Sequence, residues 1–151
     1  MAMRALVLCL TLCGLTATTV AQTAPAPEHW VPVGHTTQTI TGSVTFTPTE
    51  ISFQSGKSLS LVRGGQMLFR PGAKKKKVMA DIYSVTPPGD PVLENGNKLC
   101  KGKPVTYVLV WKSEKTGTEA DPRTLAPFAG PKLNPGSPDD CGRYTYDAGR
   151  S

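Results

Sequence analysis

Apolar and hydroxyl-bearing residues alternate along much of this chain. In Ser43-Val44-Thr45-Phe46-Thr47, Val44 and Phe46 fall on one face and the hydroxyl residues on the other. Glu50 to Gln54 repeats the scheme with Ile51 and Phe53, and Ser58 to Val62 repeats it with Leu59 and Leu61. Side chains of a strand point alternately to its two faces, so this pattern predicts half-buried antiparallel strands with one wet side. Thr47-Pro48-Thr49 and Ser55-Gly56-Lys57 supply turn residues between them. Gly42, after Thr39-Ile40-Thr41, predicts a bulge or sharp bend in a strand.

Further strands are expected at Gln66 to Phe69 and Val78 to Val85, with Thr124 to Phe128 as a short one and Gly142 to Asp147 as the last. Asn95-Gly96 predicts a tight turn between Val92-Leu93 and Leu99-Cys100. Pro104 to Trp111 is the most apolar segment. Val105, Tyr107, Leu109 and Trp111 alternate with Thr106, Val108 and Val110, and apolar residues on both faces predict a covered strand. No segment after the N-terminal apolar run carries a helical stripe. The fold class is therefore all-β, with about eight short strands. A small antiparallel barrel is expected in preference to a compact β-sandwich, because closure removes exposed strand edges. Lys112 to Asp140, rich in Pro, Gly and charge, reads as the irregular region.

The N-terminus places this domain in a compartment. Met1 to Arg4 carries one positive charge, Ala5 to Leu15 is apolar, and Thr19-Val20-Ala21 offers small residues before Gln22. This is the layout of a secretory signal peptide over 1–21 and is too short for a permanent span. Acylation at Cys13 would need a small residue before it, where Leu12 stands. Residues 22–29, with Pro25 and Pro27, read as a flexible linker, and 30–151 as one β domain. Export leaves Cys100 and Cys141 as an even pair in an oxidising compartment, and a disulfide between them is expected.

The formal net charge is +6, and only Arg4 among the charged residues leaves with the signal. A basic surface favours anionic partners or serves solubility alone. Lys74 to Lys77 stand directly before the strand at Val78. If that strand ran back through them, Lys74 and Lys76 would share the buried face of Val78, Ala80 and Ile82. Buried unpaired ammonium groups are very costly, so the lysines belong to a loop turned by Arg70-Pro71-Gly72. Lys98, Lys101 and Lys103 form a second basic group around Cys100. These eight residues, Arg70 included, are the candidate surface for an anion or an acidic partner.

Other chemistries find little in the residues. His29 and His35 with the cysteines match no zinc spacing, and Asp121 with Asp139-Asp140 lacks the repeated ligands of a calcium loop. No metal and no cofactor is expected. With two histidines near the N-terminus and no Gly-x-Ser-x-Gly or phosphate-cradling loop, no catalytic residue is assigned. The lysine run has no interleaved aromatic ladder, and nucleic acid is not expected as a partner. Trp30, Tyr107, Trp111, Tyr144 and Tyr146 could line a barrel mouth or fill a core.

Ile40 to Val44, Pro91 to Cys100 and Cys141 to Tyr146 together resemble a family of small secreted or periplasmic bacterial proteins without assigned function. The resemblance implies an exported bacterial protein and assigns no catalytic residue. In architecture alone the chain is similar to periplasmic inhibitor barrels that block lysozymes or metalloproteases, whose inhibitory motifs it lacks. The expected function is that of an exported, non-catalytic binding protein, contacting an anionic envelope component or an acidic protein surface through Arg70 to Lys77 and Lys98 to Lys103. A carrier of a small apolar ligand, held inside the barrel behind Tyr107 and Trp111, is the alternative. A hydrolase inhibitor or an unrecognised enzyme comes third.

Overall fold

A computed structural model describes residues 25–149. The signal peptide expected at 1–21, the first residues of the linker and the last two residues lie outside the described residues. Eight strands close into an antiparallel barrel in chain order, each paired with its neighbours and the last with the first. They are β1 (Glu28–Pro32), β2 (Val44–Thr47), β3 (Glu50–Phe53), β4 (Ser58–Phe69), β5 (Val78–Gly89), β6 (Val105–Lys112), β7 (Pro122–Ala129) and β8 (Tyr144–Asp147). A short helix α1 (His35–Ile40) follows β1, and a single 3-10 turn spans Glu94–Gly96.

The alternating segments lie where the pattern put them. Val44, Phe46, Ile51, Phe53, Leu59 and Leu61 all point into the barrel and are buried. Aromatic rings pack among aliphatic side chains in the interior. Trp30 stacks on Phe46 at 4.6 Å between ring centres, lies 5.7 Å from Tyr146, and donates its Nε1–H to Glu28 Oε2 at 2.8 Å. Tyr83 meets the edge of Phe46 at 5.6 Å. The Pro48-Thr49 hairpin is held by the Thr47 hydroxyl, which accepts the amides of Thr49 and Glu50. Such side-chain-to-backbone bonds favour turns over continued strand.

Several expectations change. Strand β1 begins at Glu28, inside the stretch read as linker, because Glu28 and His29 pair with Phe46 and Thr45. Thr39-Ile40 belongs to α1 rather than to a strand. The bend at Gly42 is present, but it ends that helix: Thr41 and Gly42 both donate to Thr37 O, with Gly42 at φ 61°. Glycine adopts this left-handed conformation without the steric cost other residues meet. Val92-Leu93 and Leu99-Cys100 are not strands. Gln66 to Phe69 is the far half of β4, and a register irregularity between Arg63 and Gly65 joins it to the alternating half. The short strand expected at Thr124 to Phe128 is present as β7, eight residues long and largely buried, inside the region otherwise read as irregular.

Polar groups close the end of the barrel nearest the disulfide. Tyr146, fully buried, donates its hydroxyl to Thr41 at 2.8 Å, and Thr41 donates to Thr37 O. Asn95 and Asn97 donate their side-chain amides to Thr39 O and tie α1 to the 3-10 turn. The Asp90 carboxylate accepts the amides of Leu99, Cys100 and Gly102. The Cys100–Cys141 disulfide joins this loop to the start of β8, across 41 residues of sequence.

Burial pushes the Tyr144 hydroxyl up to about 12, with a smaller contribution from Asp90, and pushes Tyr146 higher still despite its bond to Thr41. The folded state therefore holds both protons more tightly than the unfolded chain, whose tyrosines ionise near ~10. This contribution is present in full below about pH 10 and is lost as pH rises through the folded values. The denaturation midpoint should fall as pH rises from roughly 10 upward, through the folded values of both groups. Denaturant melts of the wild type and Tyr146→Phe across this range test it. The substitution should blunt the fall, and a fall of equal size in both would refute the assignment.

Candidate functional site

The outer wall of the barrel carries a second apolar cluster. On β6 a register irregularity between Val105 and Tyr107 turns the strand. Val105, Val108 and Val110 point inward, whereas Tyr107, Leu109 and Trp111 point outward. The strand is covered on both faces as expected, but Val105 lies opposite to the face assigned to it. On β4, Leu59 and Leu61 point inward while Met67 and Phe69, past the bulge, join the outer cluster. Phe69 meets Trp111 edge-on at 5.1 Å between ring centres, and Ala80, fully buried, lies in the same cluster. A small residue there lets the two rings approach.

This packing places the β4–β5 turn, and the lysines in it, beside the wall formed by β6, β7 and β8. Residues 70–77 form a loop, and β5 starts at Val78 as the alternation requires. Arg70 donates to Ala73 O at 3.3 Å and Lys75 N to Gly72 O at 3.0 Å, which gives the loop its turn. Lys74 to Lys77 are exposed and take part in none of the described ion pairs.

Between loop and wall lies a cleft of about 360 Å³. Pro71, Lys75, Lys76 and Val78 come from the loop and the start of β5. Trp111, Thr124, Thr145 and Val33 come from the barrel wall, and Ser113, Glu114 and Thr116 from the loop after β6. Arg143 completes the lining and is paired with Asp140 at 2.9 Å, which holds its guanidinium near the cleft. Three cations and one carboxylate thus surround a partly apolar hollow.

Three carboxylates away from the cleft fix the loop after β6. Glu119 is buried and accepts from the Thr116 amide and hydroxyl and from the Gly117 amide at 2.7 Å. Its own backbone amide, then those of Gly117 and Thr116, hold its carboxyl below the usual range. Asp147, fully buried in β8, accepts the amides of Ala120, Asp121 and Gly149. Asp121 bonds Lys112 at 2.8 Å and Arg123 at 2.7 Å, and these cations keep it ionised below the ordinary carboxylate range. The hydroxyls of Ser113 and Thr124 are hydrogen-bonded to each other across the cleft floor.

The two basic groups are not one surface. Lys103 precedes Val105 at one end of β6, whereas Val78 lies near the other, since Asp81 pairs with Val110. The length of β6 separates them by about 20 Å, at ~3.3 Å per strand residue. Lys101 and Lys103 line a separate hollow of about 300 Å³ beside the disulfide, with Pro138 and Asp140. Lys98 is exposed, and Arg70 serves the loop turn rather than the cleft lining.

The aromatic set is also divided. Trp30, Tyr144 and Tyr146 are interior, while Tyr107 and Trp111 belong to the outer cluster, so those two rings do not line the barrel interior. Among the described residues no three His, Cys, Asp or Glu side chains come close enough to hold a metal ion. No described helix is long and apolar enough to cross a membrane. Arg143 and Thr145 were findable from the sequence, since inward Tyr144 and Tyr146 force their neighbours outward. Trp111 was not, because its direction depends on the irregularity before Tyr107.

No family model, curated protein or solved structure matches this chain.

Proposed function

We propose that this chain is an exported, non-catalytic binding protein that takes an anionic partner in the cleft beside its lysine loop. The observation that carries the reading is the meeting of Lys75 and Lys76, outside the described ion pairs, with Arg143 at one concave site. Ammonium groups on a loop attract anions over about a Debye length, and a guanidinium adds directed donors at the contact. Buried carboxylates hold the opposite wall in place, which reduces the ordering a partner has to impose. The disulfide and the N-terminal segment support the exported setting. The lysines at Lys98 to Lys103, at the other end of β6, are outside this site.

The test is affinity against ionic strength, measured with inorganic phosphate, polyphosphate, alkyl phosphates and anionic vesicles as probes. For the probe that binds, Lys74→Ser, Lys75→Ser, Lys76→Ser and Lys77→Ser combined should weaken affinity about ten- to a hundredfold, as expected for several solvent-exposed charges at a rim. Replacing Lys98, Lys101 and Lys103 should leave it unchanged. Affinity indifferent both to salt and to the loop replacement would sink the reading.

A further inference from the structure

We infer that the ligand of this cleft is a single-chain amphiphilic anion, with an alkyl or aryl body on the cleft floor and a carboxylate or phosphate head at the lysines. The inference rests on the cleft being an anion site and goes on to name the ligand's chemical class.

Two features favour an amphiphile over a polyanion. First, the body of the cleft is apolar: Val33, Pro71, Val78 and Trp111 line it, and the cations come from the loop beside it and from Arg143. A groove for an extended polyanion is basic along its length, since it must meet a charge at every repeat. Here Glu114 lines the same cleft and would repel a second anionic group. Second, the site is closed in extent. About 360 Å³ lies at the small end of the roughly 300–1,000 Å³ of small-molecule sites. It suits one short chain and one head.

The Thr145 hydroxyl adds a neutral donor for the head's oxygens. Trp111 faces outward, so its ring serves this cleft and not the barrel interior. The apolar carrier expected from the sequence and the anion binder thus converge on one external site. Its apolar half comes from the barrel wall and its charged half from the loop.

The experiment is a homologous series. The purified full chain is titrated with alkyl phosphates and alkyl carboxylates of increasing length, each kept monomeric, and with the matching alcohols. Affinity should rise about fourfold per added methylene, the value of burying one CH₂, until the cleft is full and the gain stops. Lys75→Ser with Lys76→Ser should weaken every anionic member by a similar factor and leave the slope intact. Val78→Ser should flatten the slope. Val78→Thr, nearly the same shape as valine, keeps a folded comparison if the serine variant is unstable, and it should flatten the slope partly.

Four outcomes overturn the inference. Tight binding of polyphosphate with no gain from alkyl length would make this a polyanion surface and leave the anion-binding reading standing. Binding to phosphatidylglycerol vesicles without binding of monomeric amphiphiles would make it a membrane-docking loop. Alcohols binding as tightly as phosphates, independent of salt, would retire the anion reading itself while keeping an apolar site. No binding of any member at millimolar concentration would reject the amphiphile outright.

Discussion

Reduction of the Cys100–Cys141 bond is expected to lower stability by about 4 kcal/mol, the chain-entropy value for a closed loop of this length. The bond spans 41 residues, and the loop it closes contains β6, β7 and the segment between β7 and β8. In the oxidised unfolded chain that loop stays tethered; in the reduced chain it does not, and folding has to close it. The local structure at Cys100 should outlast the bond, since Asp90 still accepts the amides of Leu99, Cys100 and Gly102. Cys141 has less to hold it: its amide donates to Pro127 O, and Phe128 bridges Asp140. The expected pattern is a large fall in global stability with the earliest opening near the start of β8. Urea melts of oxidised protein and of Cys100→Ser/Cys141→Ser measure the first part, and amide exchange locates the second. A change under about 1 kcal/mol would mean that the reduced chain already holds these segments together when unfolded.

Trp30→Ala is expected to cost about 3–5 kcal/mol, the range for removing a large buried aromatic. Trp30 is 1 % exposed, stacks on Phe46, touches Tyr146 and bonds Glu28. It sits where β1 changes partners, pairing with β2 through Trp30 and with β8 from Val31 onward. Loss of the ring leaves a cavity at the seam that closes the barrel. Domains are marginally stable, at about 5–15 kcal/mol, so this variant should be partly unfolded at 37 °C. Trp30→Phe keeps a ring and should cost less than half as much. Denaturant melts with an unchanged slope would show a stability change rather than a new compact state. Equal melting of wild type and Trp30→Ala would mean the interior is not close-packed around this ring.

The strands at Val44–Thr47, Glu50–Phe53 and the first half of β4 were legible because their burial is one-sided and local. Two or three alternating residues suffice to tell which face is wet. The place of Lys74 to Lys77 was legible by the same rule, since unpaired ammonium groups do not enter a core. Helix α1 was hidden because its sequence, HTTQTI, has no apolar stripe. It is held instead by hydroxyls, with Thr37 accepting the Thr145 amide and Thr41 accepting from Tyr146. Partners more than a hundred residues away leave no local pattern. Val92 to Cys100 looked like a hairpin because Asn95-Gly96 favours tight turns. The Asp90 carboxylate instead gathers the amides that a partner strand would have taken.

The all-β class and the pairing of Cys100 with Cys141 follow from period and count, each readable one segment at a time. The outer cleft does not, for a geometric reason. One register irregularity in β4 and one in β6 each shift a strand by a residue, and such a slip exchanges inward and outward faces. Trp111 and Phe69 thereby leave the barrel interior and meet on its outside. That contact brings the lysine loop across the wall to Arg143, which lies just past the disulfide at Cys141. Sequence alone determined that Lys74 to Lys77 had to stay in water; closure of the barrel decided which wall they stand beside.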